Sequence, residues 1–395
     1  MTDRKEEISM KQTIRRLTIS ICIAVLFLTG MPAAFSAEDT GMSCDKLTGI
    51  PLYHDSESGG IRIELPADEF NSRGYAYGDS VNVTFSNGYA LQDLPYYNGY
   101  YVRPGETVLR GAAGKKYLKA SVNYGEDLWK TADLSENDTA DISLCEKGKY
   151  LDVQKACDLH YVDDRSDYPG DEVFANFRSM TGGSLKKDYL YRSASPCNNK
   201  HNRARYADRL IRDAGVLCVL NLADPEEKIH KYAEKDDFDS PYYLSLYQEG
   251  KVILAPINMN YTSENFRNRL ITGLKAMACS SGPYLIHCTE GKDRTGFVCM
   301  LLEALAGCSF DEILEDYMLS YENYYGVSKD NDPEKYGLIA RYNIICMLCF
   351  LTGEEEESLL KADLSACAER YLKDGGMSDE DISLLKSMIS KQPVP

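Results

Sequence analysis

The chain has 395 residues and a formal net charge of −17. That is room for two cored domains, and too acidic for nucleic acid or an anionic membrane surface to be the natural partner. With 44% hydrophobic and 27% charged residues, the composition is that of a globular protein and excludes a disordered one.

The N-terminus reads as a targeting signal. Residues 10–16 are basic, 17–30 are apolar, and 32–37 supply small residues before an acidic stretch. A secretory signal peptide over residues 1–37, cleaved near Ser36 or Ala37, predicts a secreted or extracytoplasmic protein. An uncleaved anchor is the alternative, but the apolar run falls short of the roughly 20 residues a span needs. No later segment is apolar enough to span a membrane.

Residues 38–150 predict a small all-β barrel or sandwich. "GIRIELP", "SVNVTFSNG" and "YLKASVNYG" alternate apolar and polar side chains, with Asn87-Gly88 as a turn. The dense tyrosines are expected to pack on the sheet; a glycan- or peptide-binding cluster is the alternative. Residues 151–172 are polar and acidic and suit a linker or lead-in segment.

Residues 173–395 alternate strand and helix. "VLCVLNLAD", "KVILAPINM" and "PYLIHC" read as strands; "RARYADRLIRDAG" and "SENFRNRLITGLKAMA" read as helices, the second capped by Ser263. The prediction is an α/β domain with a central, mostly parallel sheet flanked by helices and ligands at the strand C-termini. The tyrosine-rich stretch 321–342 is expected to be a surface loop, with a lid or rim as the alternative. Thirteen cysteines, less Cys22 in the signal and Cys288 as a free thiol, leave an odd number, which does not suit a closed disulfide framework. Cys346 and Cys349 fall in an apolar run and are expected in the core. The five histidines show no metal-ligand spacing.

The chemistry concentrates in "HCTEGKDRTG", residues 287–296. Cys288 ends a strand, and Arg294 stands six residues later at the start of a helix. A loop entering a helix N-terminus can cradle a phosphate on its amides. The same field favours a cysteine thiolate, and arginine grips phosphate oxygens with a planar fork.

This string resembles the loop of the cysteine-dependent protein tyrosine phosphatase superfamily, in its bacterial branch that reads HCxAGKDRTG. "NFRSMTGG", "LYRSASP", "GVLCVLNLADPEE", "EDYMLSYENY" and "YLKDGGMSDEDISLLKSM" resemble other segments of that branch, so the likeness runs from about residue 150 to 392. "YGDSVNVTFSNGYALQDLPYYNGYYV" resembles the β-barrel domain of S-adenosylmethionine hydroxide adenosyltransferases, whose catalytic domain is absent here, so no activity carries over.

The phosphatase resemblance implies that Cys288 attacks phosphorus and that Arg294 and the loop amides bind the phosphoryl group. The loop residues are Thr289, Glu290, Gly291, Lys292, Asp293 and Arg294. Thr295 is expected to hydrogen-bond the sulfur, His287 to orient the loop, and Gly296 to allow close helix packing. Lys292 is expected to add positive charge at the pocket rim, a feature that goes with phosphoinositide activity in related enzymes. Glu290 departs from the usual alanine and puts a negative charge near the entrance.

The general acid of many relatives is an aspartate after the strand that here ends "APINMNYT", with Asn258 and Asn260 in its place. Asp293 is the expected substitute and Asp224 the rival. The chemistry needs no metal and no cofactor. The expected activity is a phosphatase acting on phosphotyrosine proteins or peptides. Phosphoinositides or inositol phosphates are alternative substrates, and a non-catalytic phosphate-binding or adhesion module is the alternative of a different class.

Overall fold

A computed structural model describes residues 44–391; the expected signal peptide lies outside them. Seven strands form a closed barrel: β1 (Leu47–Asp55), β2 (Gly60–Ile63), β3 (Ser80–Phe85), β4 (Ala90–Tyr97), β5 (Thr107–Arg110), β6 (Leu118–Val122) and β7 (Thr139–Glu146), in the order β1-β2-β6-β5-β4-β3-β7. Closure removes the free edges that a sandwich would leave. The β3–β4 hairpin turns at Asn87-Gly88, with Gly88 at φ 94°, as the dipeptide predicts. Phe70, Tyr75 and Tyr96 are buried and pack ring on ring, the packing role expected of the tyrosines. Tyr100 and Tyr124 stay exposed.

Within residues 151–172 lies helix α1 (Leu151–Cys157), which packs on a helix far along the chain, Pro333–Ala340. A second sheet follows: β8 (Arg178–Ser179), β9 (Leu190–Ser193), β10 (Cys218–Asn221), β11 (Val252–Leu254) and β12 (Tyr284–His287), in the order β11-β10-β12-β9-β8. All its pairs are parallel except β8–β9. Strands buried on both faces read as continuous apolar runs, and every residue of β10 and β12 is buried. β12 therefore sits in the middle of the sheet, with β10 and β9 as neighbours.

Helix α2 (Glu264–Ala278) starts at Ser263, whose hydroxyl accepts from Phe266 N–H, as predicted. Helix α3 (Asp293–Leu305) is buried continuously from Thr295 to Leu305, a central helix packed on all sides. The stretch 321–342 is not a surface loop. Tyr321, Tyr324 and Tyr325 belong to α4 (Phe310–Tyr325), followed by α5 (Pro333–Ala340) and a π-turn, Arg341–Ile345. Its charges suggest solvent, but Tyr317, Tyr321 and Tyr324 recur at helical spacing and bury one face. The core placement expected of Cys346 and Cys349 also fails: both are half-buried, at the end of the π-turn where the helix faces the barrel. No helix of the described residues is long and apolar enough to cross a membrane.

Candidate active site

The loop between β12 and α3 takes its shape from its carbonyls. His287 Nδ1 donates to Cys288 O at 3.0 Å, and Ser195 N–H donates to Thr289 O at 3.1 Å. Asn176 Nδ2 reaches Glu290 O at 3.2 Å. Arg192 Nη2 donates to Gly291 O at 2.9 Å and to Lys292 O at 3.2 Å. Five successive carbonyls are thus drawn outward by the surrounding protein. In a planar trans peptide the next N–H points the opposite way, so the amides of residues 289–293 face the concavity. Helix α3 adds the positive end of its dipole, and Lys292 at its N-cap contributes no side-chain cap.

Gly291 makes the loop feasible. Its φ is +66°, and a Cβ there would lie 2.0 Å from Ser193 O. A Cβ on Gly296 would lie 2.4 Å from the Tyr317 ring, which bears out the close packing expected of it.

Cys288 is buried, at 3% exposure. Arg294 lies in the first turn of α3: one Nη donates to Thr289 Oγ1 at 2.9 Å, and the other to Leu222 O and Ile257 O at 3.4 and 3.3 Å. Carbonyls at the ends of β10 and β11 therefore aim the guanidinium. His287 is fully buried, and burial pushes its pKa down to about 4. It is neutral at pH 7, with its proton on Nδ1 to serve the Cys288 carbonyl. The orienting role fits.

Two expectations need correction. Lys292 is not a rim cation. It is 6% exposed, 3.3 Å from Glu290 and 3.6 Å from Asp293, and donates to Tyr325 OH at 2.8 Å. Burial opposes its charge, but these two carboxylates hold it protonated. The bond expected between Thr295 and the sulfur is also not made: Thr295 Oγ1 is buried without a partner.

Glu290 is held in place by Lys292, by Tyr161 OH at 2.8 Å, and by His201 Nε2 at 3.5 Å. Although partial burial opposes its charge, its pKa is lowered by these neighbours. His201 stacks on Tyr161 and meets Asp163 at 2.9 Å.

Beneath the loop lies an ion network that sequence reasoning quoted as motifs without assigning work to it. Arg192 is fully buried and pairs with Asp316, as does Arg178 at 2.7 Å. Ser320 and Asn323 tie Asn176 into the same cluster at 3.2 and 3.0 Å. Burial works against the charge of Asp316, yet the two arginines hold its pKa low. Burial, with Asp316 close by, pushes Glu303 far up. An arginine inside an otherwise buried strand, "LYRS", was the signal available.

A family model described as "Tyrosine phosphatase family" matches residues 172–390, more than half of the chain. The chain belongs to the tyrosine phosphatase family. Over 55 residues it is 46% identical to a tyrosine-protein phosphatase of Nostoc commune, a match covering 14% of this chain and 19% of that one. Among solved structures, P. aeruginosa TpbA is similar at 17% identity and TM-score 0.25, over 45% of this chain and 89% of TpbA. The core catalytic domain of the PP-IP phosphatase SIW14 from S. cerevisiae is similar at 18% identity and TM-score 0.25, over 42% and 94%. In this family member, the Asp293 carboxylate accepts from the Tyr317 and Tyr321 hydroxyls on its Oδ1 at 3.0 and 3.1 Å.

Proposed function

We propose that this chain is a secreted phosphatase that hydrolyses phosphate monoesters, protein phosphotyrosine first, through a phosphocysteine. The observation that carries this reading is the loop itself, five carbonyls turned outward around a buried cysteine, with Arg294 bonded to the loop's Thr289. Cys288 thiolate attacks phosphorus; the S–P bond forms as the ester P–O bond breaks. The amides of residues 289–293 and Arg294 bind the equatorial oxygens, where negative charge is spread in the transition state. Asp293 gives its proton to the departing oxygen. Water then attacks phosphorus, Asp293 takes a proton from it, and the thiolate leaves with release of phosphate.

The buried Lys292, its charge met by Glu290 and Asp293, and the acidic Glu290 speak for a singly phosphorylated ester over a highly charged inositol phosphate. Tyr161, 42% exposed beside Glu290, offers an aromatic face to a phenol ring. Secretion rests on the basic, apolar and small-residue order of residues 10–37.

The test is a side-by-side panel of phosphotyrosine, phosphoserine, phosphoinositide and inositol polyphosphate substrates under reducing conditions, with wild type and Cys288→Ser. Phosphotyrosine should be turned over fastest, and Cys288→Ser should bind it without turnover. An inositol polyphosphate preferred over phosphotyrosine would replace the substrate assignment. Binding without turnover by the wild type would point to the non-catalytic module.

A further inference from the structure

The side chain of Glu290 ends among groups suited to an anion. It leaves the loop two residues after Cys288, so its Cα stands within about 7 Å of the cysteine's. Segments far apart in sequence bring those groups together. Tyr161, between α1 and β8, gives its hydroxyl to Glu290 Oε1 at 2.8 Å. Lys200 and His201, in the connection after β9, approach the same oxygen at 3.9 and 3.5 Å. Lys292, on the loop itself, stands 3.3 Å from Oε2.

The carboxylate does not satisfy all of them. Only the Tyr161 contact is a hydrogen bond; the lysines and His201 stand off at ion-pair distance. His201 is 8% exposed, its Nδ1 donates to Asp163 at 2.9 Å, and its Nε2 is left without a hydrogen bond. A buried ring nitrogen in that condition calls for an explanation. The Lys200 side chain is 58% exposed, so solvent reaches this side of the cluster. The other acids close by are engaged: Asp163 meets His201 and, at 3.6 Å, Arg203, and Asp293 meets Lys292 at 3.6 Å. A hydroxyl, two lysines and a histidine around one carboxylate are unusual in a chain of net charge −17. A phosphate group, with three acceptor oxygens and up to twice the charge, would engage such a set more fully.

We propose that this cluster is a second phosphate subsite beside the catalytic loop, and that Glu290 fills it as a built-in anion and so excludes esters carrying more than one phosphate. Glu290 is thereby a specificity-determining residue. The inference deepens the phosphatase reading and rests on it for the phosphate held at Cys288. A carboxylate tethered to the loop gives up no translational freedom in taking the place, so a free polyanion competes with it poorly. Without Glu290, Lys200 has no carboxylate partner among the described residues and His201 has Asp163 alone.

The experiment measures inhibition of nitrophenyl phosphate turnover by inorganic phosphate, by inositol hexakisphosphate and by phosphoinositide vesicles. The proteins are wild type, Glu290→Ala, Glu290→Gln, Glu290→Ala with Lys200→Gln, and Asp213→Asn. The quantity compared is the ratio of inhibition constants within each variant, so a change in kcat does not enter. Glu290→Ala should raise the preference for a polyphosphate over phosphate about tenfold, the worth of one charged hydrogen bond. Adding Lys200→Gln should remove most of that gain. Glu290→Gln keeps the bulk without the charge and should give a smaller gain, which preserves the test if the alanine variant does not fold. Asp213→Asn removes an exposed carboxylate at the end of the helix Ala204–Asp213 and should leave the ratio as in wild type. A gain for either polyphosphate supports the subsite, and the difference between them separates a free ester from a lipid headgroup. A ratio unmoved for both in the two Glu290 variants overturns the proposal, as does an equal gain in Asp213→Asn or a gain that survives Lys200→Gln. Calorimetry of inositol hexakisphosphate on Cys288→Ser, with and without Glu290→Ala and Lys200→Gln, reads the subsite without catalysis. If nitrophenyl phosphate is not hydrolysed yet Glu290→Ala tightens that binding in a Lys200-dependent way, the subsite stands and the phosphatase reading falls.

Discussion

Asp293 and Asp224 compete for the proton donor's role, and their surroundings separate them. The Asp293 side chain is 33% exposed and lines a cleft between the barrel and the helices. Asp224 is 1% exposed; one oxygen accepts from Tyr232 OH at 3.0 Å and the other has no partner. A tyrosine phenol, of pKa about 10, needs a proton on leaving more than a nitrophenol does. Asp293→Asn should therefore slow phosphotyrosine turnover by roughly 10²- to 10⁴-fold and nitrophenyl phosphate turnover far less. If Asp224→Asn shows that leaving-group signature instead, the assignment reverses. His201 offers a second reading at this scale. Burial opposes its charge, but Glu290 and Asp163 prevail and raise its pKa above the ordinary value. NMR titration should place its midpoint above about 6.5, and Glu290→Gln should bring it down. The sign for stability follows: the gain from protonated His201 is full below the unfolded-state pKa and lost as pH rises through the folded one. The destabilisation caused by His201→Asn should accordingly shrink as the solution turns alkaline. A midpoint that Glu290→Gln leaves in place would contradict the pairing.

At the scale of elements, a strand, a loop and a helix build the cradle, and two glycines test it. Gly307 ends α3 at φ +78° with nothing within 4 Å of a Cβ, whereas at Gly291 a Cβ would strike the Ser193 backbone. Gly307→Ala should cost only the left-handed backbone strain, roughly 1–2 kcal/mol, and keep turnover. Gly291→Ala should cost more in urea unfolding and abolish turnover, because either the loop or β9 must move. Equal losses at the two sites would mean that the loop is not tightly held. The strand–loop–helix itself was legible, because a buried apolar strand, a glycine-bearing polar loop and an apolar helix each leave a distinct local pattern. The supports were not. Asn176, Arg192 and Asp316 lie far apart in sequence, and nothing local shows that their side chains converge under the loop carbonyls. Lys292 was misplaced for the same reason: a lysine in a polar loop suggests solvent, and only the fold brings Glu290 and Tyr325 around it.

At the scale of the whole molecule, the alternating strands of the N-terminal half announced a β-structure, and closure into a barrel depended on pairings such as β1 with β7 that no short window contains. The stretch 321–342 failed for a related reason: Tyr321 and Tyr324 turn to the core from α4, while Lys329, Asp330 and Asp332 lie in the connection to α5. The central claim, a covalent phosphoryl transfer through one thiolate, is open to direct test. The wild-type chain would be mixed with a phosphotyrosine peptide, quenched in acid within the first turnovers, digested and analysed by mass spectrometry. A phosphoryl group should be found on the peptide containing Cys288, in a burst that reaches close to one equivalent if hydrolysis of the intermediate limits the rate, and it should vanish in Cys288→Ser. Steady turnover of phosphotyrosine by Cys288→Ser, or a phosphoryl group trapped on another residue, would contradict the account.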